Sequence, residues 1–431
     1  MSNNKIYLET LGCAKNLVDS EVLTGGLKSN DYSLVNKLEN SEIVIVNTCG
    51  FLDRAREEGI NRLIELCQFK KEKKIKQLIA VGCLTDRYGD DISSEMNEID
   101  AVFGSESYAD VLSYLTGKDY KKDDPDFFRS LLTPSHYAYL KISEGCDNGC
   151  SFCSIPLMRG MQVSQPIEWN VLEAKRVVES GVRELLVIGQ DTTSYGWDLS
   201  EKIGLHDLLF ELDKVEGVDW IRLHYAHPAH LNHKVISSFG SLDKLLPYID
   251  MPIQHGSDRM LKSMRRGLGR DGIMRRINLL RETIEDIAIR TSIIVGFPGE
   301  SDEDFEDLLS FIEEAQFDRL GVFRYSEEEG TYGADHLSDD IPAEVKEDRY
   351  NEVMLLQQKI NHQKNIDLIG SIQKVLIDVV NDNDCSIGRT YRDSPEIDNY
   401  VTINSALETG SFYNVKITKA NEYDLAGEVV D

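Results

Sequence analysis

Cys146, Cys150 and Cys153 stand in one short run, Cys146-Asp147-Asn148-Gly149-Cys150-Ser151-Phe152-Cys153. Three thiolates on such a loop can grip three corners of an iron–sulfur cube. Clusters of this kind are normally held by four cysteines, so a missing fourth leaves one iron open to a small molecule. Zinc is the competing metal. A structural zinc site wants four protein ligands, usually as two separated cysteine pairs, and no second pair lies nearby in the chain. The CxxxCxxC spacing therefore favours a cube over zinc or a disulfide.

A second trio is spread more widely. Cys13 follows an expected strand in Thr10-Leu11-Gly12-Cys13. Cys49 ends another in Asn47-Thr48-Cys49-Gly50, and Cys83 ends a third in Val81-Gly82-Cys83. The carboxyl ends of parallel strands share one sheet edge, and sites form there. Three cysteines so placed can converge although they are far apart in the chain. A single one would read as a small buried residue. Three at the same topological place, each beside a glycine, argue for a second metal cluster.

The elements that must position these residues fall into three segments of an α/β chain of 431 residues. Residues 1–117 read as βα repeats with a parallel sheet. The expected strands are Lys5–Leu8, Ile43–Val46, Leu78–Val81 and Ala101–Phe103, with helices over Leu17–Leu27 and Arg54–Cys67. Residues 118–136 carry the charge run Lys121–Asp126 with Pro125 and read as a linker. Residues 137–365 show strands at Tyr137–Ile142, Glu184–Ile188, Trp220–His224, Tyr248–Ile253, Ile289–Val295 and Leu320–Tyr325. Helices are expected between them, at Ile167–Ser180 and Asp302–Ala315 for example. Six such units predict a partial (β/α)6, TIM-like barrel, whose chemistry belongs at the carboxyl ends of its strands. The CxxxCxxC loop follows the first of these. A helical tail, Ala343–Leu368, leads to residues 371–431, where short alternating strands predict a small antiparallel β-barrel.

No stretch approaches the ~18 apolar residues of a membrane span, and the amino terminus carries no secretory pattern. The expected location is cytoplasmic. Asp and Glu number 75 against 47 Lys and Arg, a formal net charge of −28. Nucleic-acid affinity comes largely from Lys and Arg against phosphates, so the balance argues against direct RNA binding and suits a basic partner. Acidity for solubility is the plainer explanation. The last segment repeats the bias, with eleven acidic residues against five basic, net −6.

With these motifs in view, the chain resembles the radical S-adenosylmethionine methylthiotransferases. Thr10–Glu21 and Gly388–Asp398 resemble the ribosomal-protein (RimO-type) branch. The resemblance covers essentially the whole chain and implies a TRAM-like last domain. It implies two 4Fe–4S clusters, one on Cys146, Cys150 and Cys153, the other an auxiliary cluster on Cys13, Cys49 and Cys83. S-adenosylmethionine would bind the open iron of the first. One electron from an external donor would cleave it to a 5′-deoxyadenosyl radical, and the auxiliary cluster would supply the methylated sulfur. The implied substrate is the β-carbon of an aspartate in the basic small-subunit ribosomal protein S-twelve, a partner that suits an acidic last domain.

Other positions carry over from the same resemblance. Phe152 matches an aromatic near the adenine, although packing explains it equally. Gly189 and Gln190 end the second barrel strand, where the superfamily contacts the methionine amino group, with Gln190-Asp191 here in place of Gly-Glu. Gly296 lies in the segment Ile293–Glu300, which resembles a further cofactor contact. Arg159 and Ser164 match the stretch after the cluster loop. The family's Arg is replaced here by Gln165, which cannot form a bidentate ion pair, so Arg159 is the candidate to orient a carboxylate. His255, after the fourth barrel strand, and the carboxylates Asp393, Glu396 and Asp398 are candidates to meet substrate. Cys67 reads as a core residue and Cys385 as a spare thiol. Two other functions remain open at this point. One is methylthiolation of a tRNA adenosine (MiaB type), which needs a last domain able to hold a polyanion. The other is a non-catalytic iron–sulfur sensor, which would not cleave S-adenosylmethionine.

Overall fold

The computed structural model of the chain describes residues 4–121, 128–200, 202–381 and 383–430. The expected linker's charge run lies, from residue 122 onward, outside the described residues. Two compact units emerge. One takes Met1–Thr133 with Glu144–Asp147 and Ser154–Gln162. The other takes Pro134–Ser143, Asn148–Cys153 and Val163–Asp431. Two short stretches, one carrying Cys146 and one following Cys153, thus pack with the first unit, a partition no local sequence signal carries.

The first unit is built from β1 (Lys5–Thr10), α1 (Ala14–Ser29), β2 (Ser33–Leu34), β3 (Ile43–Thr48), α2 (Asp53–Lys71), β4 (Gln77–Gly82), α3 (Cys83–Glu95), β5 (Ala101–Val102) and α4 (Tyr108–Thr116). The sheet order is β2-β1-β3-β4-β5, parallel throughout. Central β3 is buried along its whole length. Its Ile-Val-Ile-Val run is what a parallel strand covered on both faces requires. Successive side chains alternate between faces. Val44 and Val46 pack with Leu63 and Leu66 of α2, while Ile43 and Ile45 pack with Leu23 and Leu27 of α1 and Leu112 of α4. Each fully buried Leu or Ile contributes about 1.5–3 kcal/mol. Cys67 joins the first of these cores, as expected.

In the chain that follows come β6 (Tyr137–Lys141), β7 (Ser143–Glu144), α5 (Ile155–Arg159), β8 (Val163–Ser164), α6 (Ile167–Glu179), β9 (Glu184–Ile188), β10 (Trp220–Leu223), β11 (Leu245–Asp250), β12 (Ala288–Val295) and β13 (Arg319–Arg324). The second unit holds a parallel six-stranded sheet in the order β13-β12-β11-β10-β9-β6, the partial barrel that the six repeats predict. Strand β11 starts and stops three residues earlier than expected. Pro252 has no N–H to give to the ladder, so pairing ends before it.

The chain closes with β14 (Ile372–Val380), β15 (Ser386–Arg389), β16 (Val401–Ile403), β17 (Phe412–Ala420) and β18 (Leu425–Val429), a closed barrel in the order β14-β15-β16-β18-β17. Val375, Ile377, Val401, Ile403, Val415 and Ile417 fill it from alternate positions. One pair, β16–β18, is parallel, so the barrel is not antiparallel throughout: closure brings the last strand back alongside β16.

This small barrel is fastened to the amino ends of the core strands. Glu184, the first residue of β9, is wholly buried between Arg222 (Nε at 2.7 Å) and Arg389. Arg319, the first of β13, donates from Nε to Asp393 Oδ1 at 2.8 Å. Arg290 bridges Asp250 at 3.0 Å and Asp398 at 3.2 Å. Tyr248 Oη also donates to Asp398, and Tyr137 Oη donates to Glu396 at 2.9 Å. The expectation that Asp393 and Asp398 meet substrate is therefore corrected. Both carboxylates are buried against core arginines, at the strand ends opposite those where barrel chemistry is carried out. Glu396 alone of the three is exposed.

Candidate metal centres

The first unit brings the scattered trio together. Gly12 has φ +97°, and a Cβ there would stand 2.6 Å from Cys49 Cβ and 3.0 Å from its Sγ. Gly82 has φ +109°, and a Cβ there would stand 2.3 Å from Thr48 O. Only glycine lets the β1 and β4 ends close on the β3 end in this way. Cys13 is extended and opens α1, and Cys83 is the first residue of α3. Cys49 and Cys83 are buried and Cys13 is exposed. A Cβ on Gly50 would likewise stand 2.7 Å from Cys83 O, so the segments that carry Cys49 and Cys83 meet at this edge.

Two asparagines that the sequence reading passed over knit this edge. Asn16, wholly buried in α1, donates from Nδ2 to Leu11 O and Thr48 O, each at 3.0 Å. Asn47 at the end of β3 donates to Asn16 O at 2.8 Å and Ser20 Oγ at 3.0 Å. A usable signal existed: a polar amide at the end of an apolar strand, followed two residues later by a cysteine.

Arg159 of α5 belongs to the same unit. Its Nε donates to Cys83 Sγ at 3.1 Å, Nη1 to Glu144 at 2.7 Å, and Nη2 to Asn16 Oδ1 at 2.6 Å and Asp19 Oδ2 at 2.9 Å. The expectation that Arg159 orients a substrate or cofactor carboxylate is thus corrected, since its donors are engaged inside this unit. Asp19, Glu106 and Glu144 bring carboxylate oxygens within 4.8 Å of one another. Two of the three are the counter-charges of Arg159, which accounts for acids gathered there. Burial pushes the Cys49 thiol up, and pushes Cys83 up to about 12 against the pull of Arg159. A metal must therefore displace those protons as it binds. Three sulfur donors with a guanidinium on one of them suit a soft, anionic iron–sulfur centre better than a hard cation.

The CxxxCxxC loop follows β6 and β7 directly. Cys146 N donates to Gly160 O at 3.1 Å within the first unit, and Cys153 N to Cys150 O at 3.2 Å within the second. Ser151 anchors the second part, donating from N to Met264 O at 3.2 Å and accepting from Gly333 N at 2.6 Å. Arg266 donates from Nη1 to Cys150 Sγ at 3.0 Å and from Nη2 to Pro252 O at 2.7 Å. Each three-cysteine set thus has one guanidinium on a sulfur, and the donor chemistry again fits an iron–sulfur centre.

The other candidate positions divide. Phe152 packs against Met260, Met264, Phe297 and Tyr325. Gly189 is buried at the end of β9 beside Ser143 Oγ, and Gln190 follows it. The Gly296 and Phe297 amides both donate to Glu300 Oε2, at 2.6 and 3.1 Å, so the amide of Gly296 is already engaged. His255 is completely buried, accepts from Ser257 N at 2.9 Å and lies 3.7 Å from Glu300. It does not reach a surface that a protein substrate could touch, which corrects that expectation. Cys385 lies on the small barrel, its Sγ 3.6 Å from Asn404 Oδ1.

Asp191 emerges instead as a hub of the second unit. It accepts from Asn148 Nδ2 at 2.9 Å, Thr193 N at 2.9 Å and Thr193 Oγ1, and lies 2.7 Å from His230 Nδ1. Burial raises its carboxyl, but these bonds outweigh it and hold the group below the usual range. His227, stacked on His230, is pushed down by burial and by Arg266. Asp191 thereby ties the cluster loop to the turns after β9 and β10.

The Radical SAM superfamily model matches residues 140–312, the TRAM domain model residues 369–430, and the uncharacterized protein family UPF0004 residues 5–104. The fold is shared with the radical S-adenosylmethionine methyltransferase TsrM from Kitasatospora setae, at TM-score 0.58 and 12% identity over 77% of each chain. It is also shared with the S-adenosylmethionine radical enzyme OxsB, at TM-score 0.53 and 11% identity, covering 83% of this chain and 56% of that one. Residues 140–312, the half-barrel with its cysteine loop after the first strand, thus match the Radical SAM superfamily. Among curated proteins, the ribosomal protein uS12 methylthiotransferase RimO of Christiangramia forsetii is 44% identical, covering 99% of this chain and 95% of that protein. Those of Clostridioides difficile and Bacteroides thetaiotaomicron are 44% and 42% identical, over 99% and 100% of this chain and 99% of each relative. The chain belongs to the RimO family.

Proposed function

We propose that the chain is a radical S-adenosylmethionine methylthiotransferase that adds a methylthio group to the β-carbon of an aspartate in ribosomal protein uS12. The observation that carries the reading is the gathering of Cys13, Cys49 and Cys83 at one sheet edge, in a chain that matches RimO proteins along its whole length. Cys146, Cys150 and Cys153 would hold one 4Fe–4S cluster and Cys13, Cys49 and Cys83 the other. When bound, these groups supply radical cleavage of S-adenosylmethionine and a sulfur for transfer. The chain's own work is to fix the thiolates and to balance charge. Arg266 donates to Cys150 and Arg159 to Cys83, while Asp191 steadies the cluster loop through Asn148. Phe152, Gly189, Gln190 and Gly296 remain the candidates to lie against the cofactor, and Glu396 the one exposed carboxylate of its motif.

Charge supports a basic protein partner. Asp378, Asp393 and Asp398 of the last segment pair with arginines, and Arg389 and Arg392 turn toward core carboxylates. Among the described residues, what remains of this segment's charges is six acidic and three basic, a poor surface for a polyanion. The external electron donor belongs to the same proposal. No helix among the described residues is long and apolar enough to cross a membrane. Anaerobic reconstitution, followed by S-adenosylmethionine and a reductant, should give 5′-deoxyadenosine. Absence of that product would favour an iron-binding protein without catalysis.

A further inference from the structure

Arg159 is nine-tenths or more buried, and the polar groups around it account for its charge: Asp19, Glu144, Asn16 and Cys83. A buried arginine needs its counter-carboxylates, but it does not need a thiol. Nε could have been turned to a backbone carbonyl; it is turned to a sulfur. Helix α5, which carries it, begins two residues after Cys153. The segment leaving one cysteine loop therefore delivers a cation to the other cysteine set. Burial works against the charged form of Arg159, yet Asp19 and Glu144 beside it hold it firmly protonated.

We infer that Arg159 is a positioning residue that sets the reduction potential of the centre carried by Cys13, Cys49 and Cys83, through its N–H···S contact with Cys83. This rests on the proposal that these thiolates carry a cluster. Hydrogen bonds to cluster sulfurs and nearby positive charge favour the reduced, more negative state and raise the potential. Asp19 acts in the opposite sense. It neutralises Arg159, so the site feels only part of the guanidinium charge.

The test uses full-length protein in which Cys146, Cys150 and Cys153 are changed to Ala, leaving only the auxiliary centre. Anaerobic reconstitution should leave about four irons per chain. An EPR-monitored redox titration then compares this parent with Arg159→Gln, Arg159→Lys and Asp19→Asn added to it. Arg159→Gln should raise the oxidised-to-reduced ratio at a fixed potential about tenfold, a drop of about 59 mV for one electron. Arg159→Lys, which keeps the charge, should lie nearer the parent. Asp19→Asn should shift the potential upward. A parent without iron would overturn the cluster reading and the inference with it. A parent with four irons whose Arg159→Gln form titrates at the parental potential overturns the inference alone. Should Arg159→Gln fail to fold, Asp19→Asn decides: an upward shift upholds the assignment and an unchanged potential overturns it.

Discussion

At the scale of single residues, the sheet edge that gathers Cys13, Cys49 and Cys83 depends on groups other than the cysteines. Asn16 ties the β1 and β3 ends together and meets Arg159. Asn16→Ala removes two buried amide bonds and leaves carbonyls unpaired, at a cost of about 1–3 kcal/mol. The iron count of the reconstituted protein should fall from about eight toward about four per chain, and a count that stays at eight would rule the role out. Gly82→Ala forces a side chain into left-handed backbone and against Thr48 O. A loss of at least about 1–2 kcal/mol is expected in chemical denaturation. The convergence of Cys13, Cys49 and Cys83 at one edge was legible because their strand-end positions are local features. The role of Arg159 was not, because its partners lie 15 to 143 positions away.

At the scale of elements, the loop Thr390–Asp398 fastens the small barrel to the core. Glu184→Ala would leave Arg222 and Arg389 buried without their shared carboxylate, and removing one partner of a buried pair costs about 3–5 kcal/mol. Urea unfolding followed by tryptophan fluorescence can read this, since Trp220 packs against Phe412 of β17. A midpoint equal to wild type would contradict the interface described. Asp250 adds a pH dependence. Burial raises its carboxyl, but Arg290 and His224 outweigh this and bring it to about 2. A carboxyl held below its unfolded value of about 3.9 stabilises fully above that pH, and the contribution is lost as pH falls toward 2. About 2–3 kcal/mol should disappear over that window in wild type, and much less in Asp250→Asn. The Gly388–Asp398 motif was legible as a marker but not as a docking loop, because core partners such as Arg290 of β12 and Glu184 of β9 lie more than a hundred positions earlier.

At the scale of the whole molecule, periodicity was enough to give the order of architectures: parallel sheet, six-stranded half-barrel, small closed barrel. What it could not give was the partition of the chain. Glu144–Asp147 and Ser154–Gln162 join the first unit although sequence order sets them inside the second. That partition assigns Cys146 and Arg159 to the unit of Cys13, Cys49 and Cys83. The parallel β16–β18 pair was equally hidden, since strand direction in a closed barrel follows from closure rather than from residue pattern.

The most direct measurement is the mass of the product. The reconstituted protein, S-adenosylmethionine and a reductant are incubated anaerobically with uS12 and, separately, with tRNA, and both are weighed. A gain of about 46 Da, the mass of SCH₂, is expected on an aspartate-containing peptide of uS12 and none on tRNA. A gain on tRNA, or an unchanged uS12 alongside 5′-deoxyadenosine, would contradict the proposed function.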